Sequence, residues 1–257
     1  MKPISSRDNP QLKAWRRLAQ DSTAYRKAGQ FWLEGDHLCR AALQRGVRPL
    51  QVVLTESFQA EQGEQWLGLT DQTFVVPDAL FASLSGLESP ARMGFVVAWQ
   101  AAHEVLPDAA TVVLDRLQDA GNVGAILRCA SAFGYRQVLA IKGTAALWSP
   151  KVLRSGMGAH FGLHLVEALS EADVAALRVP LLTTSSHEGP FLHALLQAGD
   201  LPQKCAWVFG HEGQGVSASL MAQARHQVRI AQPGGEESLN VATAAAICLH
   251  ASATAGP

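Results

Sequence analysis

The second half of this 257-residue chain contains short apolar segments separated by stretches typical of helices and polar loops. A continuous apolar run, in place of strict alternation, is typical of a strand buried on both faces, as in a parallel sheet covered by helices. The predicted strands are Thr111–Leu114, Gln137–Ile141, Pro180–Thr184, Ala206–Phe209 and Gln227–Ile230. We therefore predict an α/β fold with a parallel sheet in this half.

Ligands of such sheets bind beyond the carboxyl ends of the strands. The loops to inspect for a functional site are therefore those after Leu114, Thr184, Phe209 and Ile230. Helices are predicted over Val123–Phe133 and Val216–Ala224, and within Leu147–Met157 after Ser149-Pro150. An alanine-rich helix is predicted to follow Asn240 and to continue to His250.

The first hundred residues alternate between strands and helices on a smaller scale. The predicted strands are Phe31–Leu33, Leu50–Leu54, Thr73–Val76 and Phe95–Trp99. Helices are predicted around Leu12–Ala19 and over His37–Arg45, Gln59–Leu67 and Asp78–Leu84. We predict a small α/β domain over residues 1–100, a linker over 101–109 and a second domain over 110–257.

Charge is distributed unevenly, although the net charge of −1 excludes a uniformly basic nucleic-acid-binding protein. Residues 1–50 hold ten Lys and Arg against four Asp and Glu, whereas residues 51–100 hold one Arg and six acids. A basic arm suits contact with phosphates, and equally a solvated helix face. Its clustered cations are Lys13, Arg16, Arg17, Arg26 and Lys27. Lys151 and Arg154 stand beside small residues and suit phosphate binding or a tight helix contact.

The four cysteines are isolated and show no Cys-x-x-Cys or Cys/His spacing, so no metal site is expected. No segment approaches the roughly 18 apolar residues of a membrane span. The N-terminus has no apolar run typical of a secretory signal. We expect a cytoplasmic protein that does not enter a membrane.

Two candidate site motifs follow predicted strands. In the first, Asn122 stands at the predicted helix N-cap, and Arg128 lies on an otherwise apolar helix, where it needs a phosphate or carboxylate partner. A structural salt bridge would satisfy it equally. In the second, Gly210-His211-Glu212-Gly213-Gln214-Gly215, the glycines permit close backbone approach, but their spacing is not that of a dinucleotide fingerprint. Glu212 suits hydrogen bonds from a ribose or an Arg, and His211 is interpreted as an exposed loop residue.

A third motif follows the last predicted strand. Gly234 and Gly235 permit backbone angles closed to other residues, and Ser238 or Asn240 can cap the next helix. Free N–H groups at such a helix start can hold polar ligand atoms. Hydroxyl side chains from Thr183 to Ser186 could also bind a polar ligand or cap a helix.

Together these stretches resemble the SpoU/TrmH family of RNA ribose methyltransferases, within the SPOUT superfamily. The stretches are N-V-G-A-I-L-R (122–128), F-G-H-E-G-Q-G (209–215) and I-A-Q-P-G-G-E-E-S-L-N-V-A (230–242). Residues 4–99, with N-P-Q-L-K and F-W-L-E-G-D-H-L, resemble that family's small RNA-binding domain. The resemblance implies a SPOUT methyltransferase domain with a trefoil knot, a homodimer with sites near the subunit interface, and S-adenosylmethionine as cofactor.

The resemblance also implies roles for individual residues. The implied catalytic motif residues are Asn122, Arg128, Glu212, Ser238 and Asn240. The implied cofactor-binding residues are Gly210, Ile230 and Leu239, with Thr183 and Ser238 as further candidates. One departure lies in the third motif, where Gln232 replaces an apolar residue of many relatives.

The implied reaction transfers a methyl group from S-adenosylmethionine to a ribose 2′-hydroxyl of rRNA, or of tRNA. Arg128 is expected to clamp an RNA phosphate and to stabilise the developing alkoxide, with Asn122 and Glu212 holding it. An Arg is a poor general base because its pKa is above about 12, so a phosphate oxygen or water would take the proton. Two alternatives are an RNA-binding ribosome-assembly factor without catalysis and a methyltransferase acting on a base nitrogen.

Overall fold

The computed structural model describes residues 1–86, 89–235 and 238–255. The chain divides into two compact units. Unit 1 comprises Met1–Ala101 and Trp148–Phe161, and unit 2 comprises Ala102–Leu147 and Gly162–Pro257. Among the described helices, none combines the length and apolar character needed to cross a membrane.

The secondary-structure elements are numbered here in chain order. The first ten are β1 (Lys2–Pro3), α1 (Pro10–Gln20), α2 (Ala24–Ala28), β2 (Gln30–Glu34), α3 (Asp36–Gln44), β3 (Gln51–Thr55), α4 (Glu56–Gln62), β4 (Thr73–Val76), α5 (Asp78–Ala82) and β5 (Met93–Ala98). The remaining elements are β6 (Thr111–Asp115), α6 (Ala120–Ala132), β7 (Gln137–Ile141), α7 (Pro150–Gly156), β8 (His164–Leu169), β9 (Leu181–Thr184), α8 (Leu192–Ala198), β10 (Ala206–Gly210), α9 (Ala218–Gln223), β11 (His226–Val228) and α10 (Val241–Thr254).

Unit 1 is built on a five-stranded mixed sheet in the order β1-β4-β3-β5-β2. Strands β1, β4 and β3 are parallel, and β5 is antiparallel to both β3 and β2. Helix α1 begins where the Asn9 side chain accepts a hydrogen bond from the Gln11 N–H at 2.8 Å, with Pro10 at the first helical position. Its buried face includes Leu12 and Trp15, whose ring packs edge-on against Phe74 at 5.2 Å.

Unit 1 also contains α7, a segment remote from it in sequence. Ser149 caps α7 and Pro150 opens it, as predicted, and the helix ends at Met157, whose φ is 48°. The side chains of Trp148 and Phe161 pack on the Phe31 ring of β2, with ring centroids 4.8 and 6.5 Å apart. Contacts therefore join α7 to the first hundred residues, and the predicted domain boundaries remain a prediction.

Unit 2 is built on a six-stranded sheet in the order β11-β9-β10-β6-β7-β8. Every pair is parallel, and Val208 of β10 lies opposite both Val113 and Thr183. The central strands β6, β7 and β10 are buried along their whole length, which agrees with their continuously apolar sequence. The predicted parallel sheet is confirmed.

The sheet order brings the candidate loops to one edge. The four loops predicted to hold a site follow β6, β9, β10 and β11, which are four adjacent strands. Because these strands are parallel, their carboxyl ends lie at the same edge. Helix α10 packs against α6, α8 and β10, burying Ala245, Cys248 and Leu249.

Several predicted elements differ in detail from the structure. Helix α6 begins at Ala120 and not at Val123, and β11 ends at Val228 and not at Ile230. Residues 59–67 are divided between the end of α4 and a 3₁₀ segment over Gly63–Trp66. The threading of the trefoil knot stays a prediction.

Candidate active site

The start of α6 is fixed by Asp119. The Asp119 carboxylate accepts a hydrogen bond from the Asn122 N–H at 2.7 Å. The prediction that Asn122 is the N-cap was therefore wrong, because the chain already turns into the helix at Ala120. Asn122 lies in the first helical turn, where its side chain is left for other partners.

Glu212 forms hydrogen bonds with the loop that precedes α6. Its carboxylate accepts hydrogen bonds from the backbone N–H groups of Gln118 at 3.3 Å and Asp119 at 3.2 Å. It also accepts one from Asn122 Nδ2 at 3.2 Å. Partial burial opposes ionisation, but hydrogen bonds from its own backbone, Asn122, Gln118 and Asp119 outweigh it and lower the pKa of Glu212. Glu212 is therefore an ionised acceptor that ties the β10 loop to the β6 loop.

Asn240 joins the third motif to the other two. Asn240 Nδ2 donates to Asn122 Oδ1 at 3.0 Å. Asn240 Oδ1 caps α10 by accepting from the N–H groups of Ala242 at 2.9 Å and Thr243 at 3.2 Å. We call this series the Glu212–Asn122–Asn240 chain. It brings together three predicted site residues from three motifs, whereas Glu236 and Glu237 of the third motif lie outside the described residues.

The Gly210–Gly215 loop folds tightly on itself. A Cβ atom at Gly210 would lie 2.1 Å from the carbonyl carbon of Gly215, so this position requires glycine. His211 Nδ1 accepts hydrogen bonds from the N–H groups of Gly213 at 3.0 Å and Gln214 at 3.2 Å. His211 thus shapes the loop, which supports its interpretation as a loop residue.

Asp115 and Arg116 form a second link, which was not predicted from the sequence motifs. The buried Asp115 carboxylate accepts from the Ser217 N–H at 2.7 Å and from Arg116 Nε at 2.8 Å. Arg116 also donates to Gln214 Oε1 at 3.4 Å, and its backbone has a φ of 63°, an unusual conformation for a non-glycine residue. The available signal was an acid at the end of an apolar strand.

Arg128 occupies the exposed side of α6. The buried positions Val123, Ile126, Leu127 and Ala130 follow helical spacing, and this spacing turns Arg128 to solvent. Across the described part of the chain, Arg128 forms no ion pair. Glu212 and Asn122 bond each other in place of Arg128, so the expected holding of Arg128 by these two residues is not seen within one chain.

The predicted cofactor residues combine one unsatisfied polar atom with accessible apolar surface. Thr183 is fully buried, and its Oγ1 has no hydrogen-bond partner among residues 1–86, 89–235 and 238–255. Ile230 is half-buried, Leu239 is 37% exposed and Ser238 is exposed. An adenosine has apolar faces and several polar atoms, so this combination of apolar and hydroxyl side chains fits such a group.

The predicted RNA-binding cations lie together in unit 1. An open groove of about 590 Å³ on α1 is lined by Lys13, Arg16, Arg17, Gln20 and Asp21. Arg16 is held by Ser83, with Nη2 donating to the hydroxyl at 3.1 Å, and Lys13 pairs with Asp8 at 3.2 Å.

The other predicted cations lie on α2 or on α7. Arg26 donates to Tyr25 Oη at 3.1 Å, and Lys27 is exposed beside it. Lys151 and Arg154 are exposed on α7, and α7 contacts α1. Unit 1 therefore brings together basic residues from two distant parts of the sequence.

The fold is that of a known class of methyltransferases. A crystal structure of an RNA 2′-O ribose methyltransferase superimposes with a TM-score of 0.79 at 30% identity, covering 97% of each chain. The AdoMet-bound rRNA methyltransferase from Sinorhizobium meliloti has the same fold, with a TM-score of 0.82 at 24% identity over 98% of this chain and 97% of that one.

Sequence comparison gives the family. Residues 109–250 match the model of the SpoU rRNA Methylase family, and residues 9–94 match the MRM3-like substrate binding domain. The 23S rRNA (guanosine(2553)-2′-O)-methyltransferase RlmP of Bacillus subtilis (strain 168) is 30% identical, covering 97% of this chain and 98% of the relative. The chain therefore belongs to the SpoU rRNA methylase family, and the methyltransferase class predicted from its motifs is confirmed.

Proposed function

We propose that this protein transfers a methyl group from S-adenosylmethionine to a ribose 2′-hydroxyl of ribosomal RNA. The observation that carries the proposal is the Glu212–Asn122–Asn240 chain, which joins three motif loops at the carboxyl edge of the sheet. A relative that is 30% identical over nearly its whole length carries a name with this activity on 23S rRNA. These loops are thus the place to expect the reacting groups.

Residues at this edge are proposed to hold the cofactor. S-adenosylmethionine supplies a methyl group made electrophilic by a positively charged sulfur. Ile230 and Leu239 offer apolar contact, Gly210 and Ser238 offer backbone and hydroxyl groups, and Thr183 offers a buried hydroxyl that needs a partner. The cap that Asn240 forms on α10 holds the loop containing Ser238 and Leu239 in place.

Arg128 is proposed to act on the RNA. Its guanidinium is exposed and forms no ion pair within the described residues, so it is available for the planar, bidentate contact that a phosphate accepts. Clamping the phosphate aligns the adjacent 2′-hydroxyl, and such alignment supplies up to about 7–11 kcal/mol in ideal intramolecular reactions. A phosphate oxygen or a water then takes the hydroxyl proton, while Arg128 stabilises the developing alkoxide.

The RNA is proposed to bind unit 1 through its basic groove. The match of residues 9–94 to a substrate binding domain supports this assignment, as do the exposed cations of α1 and α7. RNA is recognised mainly through shape and unpaired bases, so these cations supply affinity and not the choice of nucleotide.

The active protein is proposed to be a cytoplasmic homodimer. Ile247 of α10 is 38% exposed and Leu239 is 37% exposed, which supports an apolar contact with a second copy near the site. All four cysteines, Cys39, Cys129, Cys205 and Cys248, are free thiols, as expected in a reducing compartment.

The function is tested by methylation with labelled S-adenosylmethionine. RNA is taken from cells that lack the protein, incubated with the wild type or with Arg128→Ala, and digested so that each labelled nucleoside can be identified. We expect label in a 2′-O-methylated nucleoside of rRNA and at least a hundredfold loss of rate in Arg128→Ala.

Each other outcome would contradict a specific part of the proposal. Label in a base would contradict ribose transfer, and label confined to tRNA would contradict the ribosomal substrate. A wild type that binds RNA but neither binds the cofactor nor transfers label would indicate a non-catalytic assembly factor. Arg128→Lys keeps the charge but not the planar fork, so full activity of that variant would contradict the bidentate clamp.

A further inference from the structure

One side-chain oxygen in the third motif lacks a hydrogen bond. Gln232 Oε1 is buried and has no partner among the described residues, although the main-chain oxygen of Gln232 accepts from the Gly235 N–H at 3.2 Å. Leaving a buried acceptor unsatisfied destabilises a protein, and native proteins contain few such groups. The oxygen is therefore expected to meet a donor that is absent from the isolated chain.

The position of Gln232 indicates where this donor comes from. Gln232 follows β11 in the loop that contains Ile230, and β11 pairs with β9 so that Gln227 lies opposite Thr183. Thr183 Oγ1 is a second buried atom without a partner in the described structure. One unsatisfied polar atom thus lies on β9, and the other lies in the loop after β11 that contains Ile230.

We propose that Gln232 Oε1 accepts a hydrogen bond from the nucleoside part of S-adenosylmethionine. The donor is the adenine amino group or a ribose hydroxyl. An amide oxygen only accepts, so the partner has to be an N–H or O–H donor. Gln232 stands two residues after Ile230, whose apolar side chain is proposed to contact the cofactor, and an apolar surface suits the adenosine better than the charged ammonium group. The inference rests on the proposed function and adds Gln232 to the residues proposed to hold the cofactor.

Calorimetry with two unreactive ligands tests this contact. S-adenosylhomocysteine contains the nucleoside and the amino acid part, whereas methylthioadenosine contains the nucleoside alone. Methionine is similar in length to glutamine but apolar. We expect Gln232→Met to lower the affinity of the protein for both ligands about tenfold. Gln232→Glu keeps an acceptor and is expected to stay within about threefold of the wild type. Gln223→Met, on the exposed surface of α9, is the matched control and should bind as the wild type does.

The ligand-free protein gives a second readout. Because Gln232→Met removes a buried acceptor without a partner, its melting temperature without ligand should rise by about 2–4 °C. A merely structural Gln232 would produce the opposite change, since its replacement would lower the melting temperature.

Three results would overturn the inference. Unchanged affinity of Gln232→Met for both ligands would show that the oxygen makes no contact with the cofactor, while methylation by that variant would leave the proposed function intact. Weaker binding of S-adenosylhomocysteine alone would move the contact to the amino acid part. A wild type that binds neither ligand would overturn the proposed function itself, and this inference with it.

Discussion

At the scale of single residues, the orientation of the Asn122 amide follows from its two partners. The Glu212 carboxylate only accepts hydrogen bonds, so it receives the Nδ2 donor of Asn122. Asn240 uses its own oxygen to cap α10 and therefore has only its Nδ2 to offer, which meets Asn122 Oδ1. An amide is the side chain that satisfies both neighbours at this length.

Asn122→Asp should destabilise the protein more than Asn122→Ala at neutral pH. The carboxylate would replace a donor that lies 3.2 Å from Glu212, so two negative charges would face each other. We expect Asn122→Asp to lower the free energy of unfolding by about 1–2 kcal/mol more than Asn122→Ala does, as measured by urea denaturation. The difference between the two variants should shrink below about pH 4, where carboxylates take up protons. Equal stabilities at pH 7 would contradict the hydrogen-bonding pattern.

Glu212→Gln should change how stability depends on pH. The folded protein lowers the pKa of Glu212 from its ordinary value of 4.5, so the ionised form stabilises the fold. This contribution is complete above the unfolded pKa and is lost as the pH falls through the lower folded pKa. The stability difference between wild type and Glu212→Gln should therefore be constant above about pH 5.5 and narrow in more acidic solution. A difference that widened on acidification would reverse the assigned direction.

The sequence motifs assigned candidate residues to one predicted site but did not indicate the hydrogen bonds between them. Asn122, Glu212 and Asn240 were assigned to one site, and the structure bonds them to each other. The burial of Gln232 Oε1 without a hydrogen-bond partner and the position of the Asp115–Arg116 pair depend on how loops from different strands pack. No spacing within one segment carries that information, so these features had to come from the structure.

At the scale of elements, the misplaced start of α6 and the missed strand β8 have separate causes. Asp119 and Asn122 are both good capping residues three positions apart, and only the path of the loop selects Asp119. Strand β8 lies at the sheet edge, contains His164 and Glu167, and is irregular at Ala168, whose φ is 61°. Such an edge strand lacks the continuous apolar sequence that identified the others.

Asp119→Ala should cost about 1 kcal/mol of stability, the usual effect of losing an N-cap. The Asn122 N–H would lose its 2.7 Å acceptor. Asp119→Ser is the matched control, because serine caps helices about as well and should retain most of the stability. Thermal unfolding of both variants checks this expectation, and an Asp119→Ser protein as unstable as Asp119→Ala would contradict the capping role.

At the scale of the whole molecule, the chain passes between the two units three times, after residues 101, 147 and 161. The segment 148–161 is held in unit 1 through the Phe31 ring. The basic residues of α7 therefore depend on contacts made by the N-terminal part of the chain.

Phe31→Ala should release this segment. We expect a loss of about 3–4 kcal/mol from the missing buried ring and faster hydrogen exchange at the amides of α7 than at those of α6. Phe58→Ala is the control, because Phe58 is also buried in unit 1 and its ring packs against Trp66 and Arg92. Equal acceleration of α7 exchange in both variants would indicate general loosening and not a specific anchor.

The bond between Asn122 and Asn240 also has a consequence for synthesis of the chain. These residues are 118 positions apart, and a ribosome adding about 5–20 residues per second needs roughly 6–24 s to pass from one to the other. During that interval the first motif loop exists without the partner that completes its hydrogen bonds. A nascent chain therefore cannot complete these hydrogen bonds until Asn240 has been made, near the end of synthesis.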